Sequence, residues 1–423
     1  MIQKIGRAMV EGRLFGTIWK AVINTFKKLG KLITTIRKKI DKLIAIFSIR
    51  LLAKKTPIED NTILFLTTRG DFDCNAKWIC KELLRREEPY TIYWTYRKGA
   101  KMDEFPPELH LVKRGSYDFF VAASKAKIIV DNSTSLSYLW YDKKPGQTLI
   151  ETWHGSIGIK RVSKESVQDK TWVKRAMHEG KMTDYCISNS TFEDDVFRED
   201  YWKTTPILKL GHARNDILCT EDTETLASLR QKIFEKYELE ENTKICLYAP
   251  TFRDDGDMSP YEVDYDALRE TLQTRFGGNW VIFTRFHFKM LKAMKHYHYS
   301  EGVINVGEYP DIQELLSCTD VGITDYSSWI CDYILTRRPG FLFATDMKEY
   351  GSTNRGFYYP LETMPFPLAT DNEQLIQNIL NFDNDKFVSA CDEFIKDKGC
   401  IDDGHAAERI ADAIEKIMNG EEL

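Results

Sequence analysis

The sequence lacks the features of several common protein classes. Its nine cysteines include no C-x-x-C pair, which argues against the usual zinc and redox motifs. No uninterrupted apolar stretch reaches the roughly 18 residues that a membrane-spanning helix needs. The odd number of cysteines, and the position of Cys186 and Cys246 inside apolar runs, indicate reduced core residues rather than a disulfide framework. Internal repeats and low-complexity segments are missing, which excludes a solenoid or a largely disordered protein.

Familiar catalytic and nucleotide-binding signatures are missing too. The sequence contains no Walker A motif, no G-x-G-x-x-G, no G-x-S-x-G, no H-E-x-x-H and no EF-hand loop. Asp71-Phe72-Asp73 has the D-x-D spacing of metal-binding nucleotide-sugar enzymes, but it precedes a helical pattern and is better interpreted as a helix cap. We therefore predict no metal and no cofactor. A compact apolar region followed by a small-residue cleavage site is also missing, which argues against a signal peptide.

The charge of the 423-residue chain is unevenly distributed. The net charge is −5, yet residues 1–55 contain fourteen lysines and arginines against two acidic residues, Glu11 and Asp41. The rest of the chain is correspondingly acidic. With 43% hydrophobic residues, it is long enough to bury a large core divided over two domains. A basic leader on an acidic body predicts an anionic surface as the partner of the leader alone.

The basic leader has the pattern of an amphipathic helix. Its apolar residues recur at helical spacing, with cations mostly between them: Ile33, Ile36, Ile40, Leu43, Ile44, Phe47 and Leu51. Such a helix is expected to lie on a bilayer, where each cation near acidic lipid adds about 1 kcal/mol. The alternative is a helix that docks on the body or mediates formation of a homo-oligomer. Nucleic acid is not an expected partner, because the rest of the chain has no basic stripe or known nucleic-acid module.

Beyond residue 57, apolar runs alternate with helical patterns, which predicts an α/β fold with doubly wound parallel sheets. The apolar runs cover 62–68, 91–96, 127–132, 148–154 and 184–189, and then 244–250, 279–287, 302–306, 320–326 and 339–345. Helical patterns lie near 75–86, 116–124, 264–274, 311–317, 328–336, 372–381, 387–397 and 405–418, and another begins at 191. A polar stretch around 211–225 separates the two series. We therefore predict a leader over 1–57 and domains over 58–215 and 216–423.

Polar clusters stand at the ends of several predicted strands, where open α/β sheets build their sites. They are Thr152-Trp153-His154-Gly155, Gly211-His212-Ala213-Arg214-Asn215-Asp216, Ala249-Pro250-Thr251-Phe252-Arg253, Arg285-Phe286-His287 and Thr324-Asp325-Tyr326-Ser327-Ser328, with Arg355 in a later loop. Arginines, hydroxyls and helix N-termini suit an anionic ligand, and histidines suit proton transfer at neutral pH. The clusters predict an enzyme that acts on phosphorylated substrates in a cleft between two domains.

Each cluster also allows a purely structural interpretation. His154 could be a general base or merely bond the turn. Arg285 and His287 point to one side of an extended chain, where they could hold a diphosphate or form an ion pair at the sheet edge. The serines of 324–328 could cap the next helix, bind phosphate, or do both. The arginines 253 and 355 could simply be solvated, and the run 211–216 could fix a hinge.

In their order these clusters resemble the CDP-glycerol glycerophosphotransferase family, whose members prime and polymerise wall teichoic acids and related capsule polymers. The resemblance extends from about residue 60 to about residue 415. It rests on TWHG (152–155), RNDIL (214–218), YAPTFRDD (248–255), RFH (285–287), EYPDIQELLSCTD (308–320), TDYSSWICDY (324–333) and RGFYY (355–359).

The resemblance implies a GT-B-like fold of two Rossmann-like halves, with an acceptor side in 58–215 and a donor side in 216–423. It implies a peripheral protein on the cytoplasmic face of the bacterial cell membrane. By the same resemblance His154 is the base, Arg285 and His287 face the diphosphate, and Ser327, Ser328 and Arg355 bind phosphate or the cytidine side. The further candidate substrate-binding residues are Trp153, Gly155, Arg214, Asn215, Asp216, Thr251, Arg253, Thr324 and Asp325.

The resulting hypothesis is transfer of a polyol phosphate from a CDP-activated donor to a hydroxyl of a lipid-linked glycan or polymer, with release of CMP. The first candidate for the donor is CDP-glycerol, and the second is CDP-ribitol. Two alternatives stay open at this point: a GT-B glycosyltransferase that uses a nucleotide sugar, and a membrane-associated scaffold without catalysis. The identity of the polyol, the choice between priming and polymerisation, the acceptor and the oligomeric state are also open.

Overall fold

The protein is described by a computed structural model covering residues 53–423, except 168, 254–256, 287–289, 291–299, 348 and 351–355, and positions 24, 25, 28, 37, 50 and 51. Its contacts define two units, Met1–Pro57 and Ile58–Leu423. The apolar residues of the predicted amphipathic helix lie outside the described residues, apart from Leu51, which is exposed. Within the described part of the chain, no helix is long and apolar enough to cross a bilayer.

The larger unit contains two sheets in which every strand pairing is parallel. The first sheet has the strand order β3-β2-β1-β4-β5-β6-β7, and the second has the order β10-β9-β8-β11-β12-β13. The strands of the first sheet are β1 (Glu59–Leu66), β2 (Thr91–Tyr96), β3 (His110–Lys113), β4 (Ala126–Asp131), β5 (Thr148–Glu151), β6 (Tyr185–Ser188) and β7 (Ile207–Lys209). Those of the second are β8 (Lys244–Tyr248), β9 (Trp280–Thr284), β10 (Val303–Asn305), β11 (Val321–Thr324), β12 (Gly340–Phe343) and β13 (Leu368–Ala369).

Helices connect most of the strands, and the last three helices follow β13. In chain order they are α1 (Cys74–Arg85), α2 (Tyr117–Lys125), α3 (Ser135–Tyr138), α4 (Lys170–Gly180), α5 (Thr191–Glu199), α6 (Asp216–Cys219), α7 (Thr223–Tyr237), α8 (Tyr265–Phe276), α9 (Ile312–Cys318), α10 (Trp329–Tyr333), α11 (Asn372–Leu380), α12 (Asn384–Asp397) and α13 (Ala406–Met418). The predicted pair of doubly wound parallel sheets is confirmed, and each sheet has its own apolar core. The central strands β1, β4 and β8 are apolar without alternation, because helices cover both faces of a parallel sheet.

The last helix departs from the predicted division of the chain at residue 215. Ile410 and Ile414 of α13 are buried in the core of the first sheet, together with Ile79 and Leu83 of α1. Asp216 anchors the start of this helix, since its carboxylate accepts hydrogen bonds from the backbone N–H groups of residues 406 and 407. The carboxyl terminus of the described chain thus returns to the first half of the protein.

Buried ion pairs join the two halves. Lys77 of α1 points into the second half, where its Nζ lies 2.7 Å from an oxygen of Asp311 and 2.5 Å from one of Glu314. All three side chains are nearly inaccessible to solvent. The ammonium group of Lys77 is the main favourable influence that lowers the pKa of Glu314 to about 2, against the effect of burial.

Replacing Lys77 with methionine is expected to lower the free energy of unfolding by about 3–5 kcal/mol, because two buried carboxylates lose their counter-charge. Urea denaturation measures this change. The pH dependence follows from the lowered pKa of Glu314. Its ionised carboxylate stabilises the fold fully above the unfolded pKa of about 4.3, and this stabilisation is lost as the pH falls toward 2. Lys416→Met, at an exposed position of α13, is the control and should change stability by less than about 0.5 kcal/mol. Equal effects of the two variants would contradict the assignment.

Candidate active site

Residues that follow strands of both sheets line one cavity. This central cavity has a volume of about 610 Å³, and its walls include Asn132 after β4, Thr251 after β8, Arg285 after β9 and Ser327 after β11. A neighbouring side cavity of about 560 Å³ is formed mainly by the first half. His154 lines both cavities. Because parallel strands carry their carboxyl ends at one edge, the two sheets bring these polar clusters together.

His154 is fixed in one tautomer by the backbone. Its Nδ1 lies 2.6 Å from the carbonyl oxygen of Asn132. A carbonyl oxygen only accepts hydrogen bonds, so Nδ1 carries the proton and Nε2 of the neutral ring carries the lone pair. The Asn132 side chain is bound in turn by the backbone N–H of Thr68 at 3.0 Å. The ring of His154 is thus prepared to accept a proton at Nε2.

The backbone before His154 is strained, which turns the histidine toward the cavities. Trp153 has a φ of 53°, a left-handed conformation that an L-residue rarely adopts without compensation. Its N–H donates to Glu151 Oε1 at 2.8 Å, and its indole packs edge-on against Phe197 and Trp202. A side chain at Gly155 would lie 3.2 Å from the Trp153 indole nitrogen, which explains the glycine at this turn.

Arg214 supports the same turn from the other side. Its Nη1 donates to the carbonyl oxygen of His154 at 2.7 Å, and its Nη2 lies 2.6 Å from Asp332 of the second half. Arg214 also lines the central cavity. Since Asp332 balances its charge, its geometry suits positioning His154 and joining the halves.

Arg285 lines the central cavity, and its charge is less compensated by carboxylates than the charge of Arg214 is. Its Nη1 donates to the carbonyl oxygens of Val306 and Tyr309, at 3.0 and 2.7 Å. Among the described residues, no carboxylate lies within ion-pair distance of this guanidinium. Burial, followed by the positive charge of Arg69, lowers the pKa of Arg285 to about 10. The cavity wall therefore holds excess positive charge that an anionic ligand would neutralise.

The serines after β11 lie between the two cavities. Ser327 lines the central cavity and Ser328 the side cavity. Ser328 holds the N-cap position of α10, yet its hydroxyl makes no capping hydrogen bond. Capping by this side chain is therefore excluded, and both hydroxyls can face a ligand.

The remaining predicted residues of the second half form an internal brace. Asp325 accepts a hydrogen bond from the backbone N–H of Thr251 at 2.7 Å and pairs with Arg253 at 2.8 Å. Arg253 also pairs with Asp346 at 2.7 Å and is nearly buried. The Thr324 hydroxyl donates to the carbonyl oxygen of Ala249. Of the predicted residues in this brace, only Thr251 lines a cavity, and the interpretation of Arg253 as a solvated side chain is wrong.

Asn215 and Asp216 lie at the junction between the halves and away from both cavities. Asn215 donates to Asp402 at 2.7 Å and accepts from Gln313 at 2.8 Å. Together with the capping of α13 by Asp216, these contacts favour the hinge interpretation of both residues. The predicted residues His287 and Arg355 lie outside the described residues.

Comparison with known proteins identifies the family. The family model described as CDP-glycerol:poly(glycerophosphate) glycerophosphotransferase matches residues 48–416. The chain belongs to this family.

Similar proteins agree with that assignment. The chain is 30% identical to a teichoic acid poly(glycerol phosphate) polymerase of Staphylococcus epidermidis over 86% of this chain, which spans 52% of that protein. It is 26% identical to a teichoic acid glycerol-phosphate transferase of Staphylococcus aureus, over 90% of this chain and 100% of that protein. A structure of the wall teichoic acid polymerase TagF, a histidine variant soaked with CDPG, matches with a TM-score of 0.77 and 28% identity, over 91% of this chain and 97% of that one. The fold is therefore GT-B-like.

The structure of this glycerophosphotransferase family member adds cavity residues that the sequence analysis missed. Arg69, Asp73, Cys74 and Asn132 line the central cavity. Asn132 follows β4 directly, Arg69 and Asp73 lie in the loop between β1 and α1, and Cys74 is the first residue of α1. The rule of polar residues at strand ends thus finds Asn132 alone. The position of Asp73 directly before a helical pattern predicts a helix cap instead.

The predicted capping role is wrong for the Asp73 side chain. Asp73 holds the N-cap position of α1 but makes no capping hydrogen bond, and its carboxyl faces the central cavity instead. Burial, followed by the negative charges of Asp311 and Asp71, raises its pKa to about 8. At neutral pH the carboxyl is therefore mostly neutral and can donate a hydrogen bond to an anion.

The KM for an anionic donor is expected to rise as the pH increases through about 8, because Asp73 then becomes a negative charge in the cavity. The folded protein binds this proton more tightly than the unfolded chain does, so the free energy of unfolding falls as the pH rises from the unfolded pKa of about 3.9 to about 8 and is constant above that. Asp73→Asn keeps the side chain neutral and should flatten the alkaline limb of a KM profile. Glu88→Gln, at an exposed position, should leave the limb unchanged. An unchanged limb in Asp73→Asn would assign it to another group.

Proposed function

We propose that the protein transfers glycerol phosphate from CDP-glycerol to a hydroxyl of a lipid-linked acceptor and releases CMP. The observation that carries this proposal is His154, which has its lone pair on Nε2 and lines both cavities. The central cavity, with Arg285 and Ser327, is the donor side, and its volume is that of a site for a ligand of nucleotide size. The side cavity is the acceptor side.

The reaction requires one proton transfer and no covalent intermediate. The acceptor oxygen attacks the phosphorus that carries the glycerol, while Nε2 of His154 removes the hydroxyl proton. The bond from that phosphorus to the bridging oxygen breaks, and its electron pair leaves with CMP. Arg285 lies where its charge stabilises the developing negative charge on the CMP phosphate. His287 and Arg355 stay candidates for the same task.

The membrane is proposed as the place of the reaction. The basic leader with its apolar stripe suits an anionic bilayer surface, and an enzyme held there meets a lipid-linked acceptor at high effective concentration. The chain spans about half the length of the poly(glycerol phosphate) polymerases it matches.

Turnover with defined donors tests the function. The purified protein is incubated with CDP-glycerol, CDP-ribitol or a UDP-sugar and a soluble analogue of the lipid-linked acceptor, and nucleotide release and acceptor mass are measured. We expect CMP from CDP-glycerol and an acceptor heavier by glycerol phosphate units. Release of UDP from the nucleotide sugar would instead identify a glycosyltransferase. No turnover of any donor by folded protein would favour the scaffold.

A further inference from the structure

The side cavity contains three arginines that the donor chemistry does not use. Arg97 follows β2, Arg114 follows β3, and Arg175 lies on α4. All three line the cavity that also contains His154. They come from separate parts of the first half, so the fold rather than the local sequence brings their charges together.

These arginines differ from Arg214 and Arg253 because they form no ion pair with a carboxylate among the described residues. Arg214 and Arg253 each pair with a carboxylate at 2.8 Å or less. In the chain as far as the structure describes it, no carboxylate lies within ion-pair distance of Arg97, Arg114 or Arg175. In addition, the Nε atoms of Arg114 and Arg175 are buried and lack a hydrogen-bond acceptor among the described residues. A buried donor without a partner costs free energy unless a ligand supplies the acceptor.

Tyr138 holds two of these guanidinium groups in place. The centres of the Arg114 and Arg175 guanidinium groups lie 5.4 and 5.2 Å from the centroid of its ring. Arg97 and Arg114 are fixed further by hydrogen bonds to the carbonyl oxygen of Thr68, at 3.1 and 3.3 Å. The three cations are thus arranged before any ligand binds, which lowers the entropic cost of binding.

The charge of the side cavity is predominantly positive. Its acidic lining residue, Asp169, already accepts hydrogen bonds from two backbone N–H groups at the start of α4, at 2.9 and 3.0 Å. Burial is the main cause that lowers the pKa of Arg114 below its ordinary value. The negative charge of Asp131 opposes this shift, and the positive charge of Arg97 adds to it. An anion among the three arginines would relieve this repulsion.

We propose that Arg97, Arg114 and Arg175 form a binding site for a phosphate ester of the acceptor, in the same cavity in which His154 receives the acceptor hydroxyl. Arginine binds phosphate oxygens through paired N–H donors, and three arginines suit one phosphate group. The inference rests on the proposed function and specifies its acceptor: the preferred substrate already carries a polyol phosphate near the reacting hydroxyl. A bare uncharged glycan end leaves these arginines without a ligand.

The kinetic test compares two acceptors that differ by one glycerol phosphate unit at the reacting end. Arg175→Gln and Arg97→Gln each remove one charge from the cavity wall. Lys174→Gln removes one charge from an exposed position of the same helix, outside the cavity. Arg114 is left intact because it also donates to the backbone carbonyls of residues 67 and 68.

We expect Arg175→Gln and Arg97→Gln to raise the KM for the phosphorylated acceptor about 10- to 100-fold, the usual effect of losing a charged hydrogen bond. The KM for the uncharged acceptor and for the donor should stay within a few-fold, as should all constants of Lys174→Gln. Equal effects on both acceptors, or no effect on either, would overturn the site.

A binding measurement separates failure of this inference from failure of the proposed function. Calorimetric titration with glycerophosphoglycerol, glycerol 3-phosphate or inorganic phosphate is performed with saturating CMP, which occupies the donor side. We expect the diester to bind to the wild type and Lys174→Gln and to lose most of its affinity in Arg175→Gln. Tighter binding of inorganic phosphate than of both esters would show a general anion site and overturn the acceptor assignment, as would equal binding of the diester to all variants. If no donor is turned over but the diester binds as expected, only the proposed reaction fails.

Discussion

Replacement of His154 with alanine is expected to lower kcat for glycerol phosphate transfer by about 100- to 10,000-fold, the range for loss of a general base. The reason is the bond from Nδ1 to the Asn132 carbonyl, which leaves Nε2 as the proton acceptor toward the cavities. Donor affinity should change only a few-fold, because the base acts on the acceptor hydroxyl. Initial rates of CMP release and calorimetric titration with CDP-glycerol measure the two quantities.

The matched control is His110→Ala. His110 is exposed on β3 and lines neither cavity, so its removal should leave kcat unchanged. His154→Gln retains a polar side chain that can donate to the Asn132 carbonyl but cannot act as a base. If the base role is correct, the glutamine variant fails as alanine does. Substantial activity in either variant would exclude His154 as the base, whereas loss of donor binding would indicate a positioning role.

Hydrophobic patterns in the sequence predict much of the fold, and there are physical reasons why they do not predict the other elements. The apolar runs of β1, β4 and β8 are buried on both faces of the sheet. Consecutive apolar residues therefore predict these strands from the sequence. By contrast, β3 and β7 are strands of four and three residues with mixed burial, at or near the sheet edge. Tertiary pairing rather than local pattern forms such strands. The sequence pattern does not predict α4, because few apolar residues of this helix are buried, such as Val173 and Ala176.

The candidate site shows the same contrast. Sequence order placed His154, Arg285, Ser327 and Ser328 at strand ends, and the fold brings these residues to the two cavities. Pairing of charges could not be inferred in the same way. Arg253 is neutralised by carboxylates about 70 and 90 positions away in the chain, and only the folded structure shows which arginines retain uncompensated charge.

Uncompensated charge distinguishes ligand-binding from supporting arginines in this protein. The supporting arginines cross from one element to another and end on a carboxylate, as Arg214 does on Asp332. A carboxylate partner would compete with a phosphate for the same N–H donors. By contrast, three arginines that line the cavities are held by backbone carbonyls: Arg285, Arg97 and Arg114. Carbonyl oxygens fix the guanidinium without cancelling its charge, so these side chains combine a defined position with affinity for anions.

Replacement of Arg285 with glutamine is therefore expected to reduce kcat/KM for CDP-glycerol by about 100- to 1,000-fold, as removal of a group that stabilises transition-state charge typically does. We expect both kcat and KM to change, because in the proposed reaction the guanidinium faces the diphosphate in the ground state and the departing CMP in the transition state. Steady-state kinetics with varied donor, combined with thermal unfolding, measures the effect and the accompanying loss of stability.

The loss of stability has its own control. Arg338 also donates through Nη1 to two backbone carbonyls of the second half, those of Ser317 and Thr319, at 2.7 and 2.8 Å, but it lines neither cavity. Arg338→Gln should thus lower the unfolding temperature by a similar amount while kcat/KM stays within a few-fold of the wild type. If both variants lost activity in proportion to stability, Arg285 would be a structural residue. A loss confined to Arg285→Gln would show that its charge acts on the donor, because the two side chains make the same kind of backbone contacts and differ in facing the cavity.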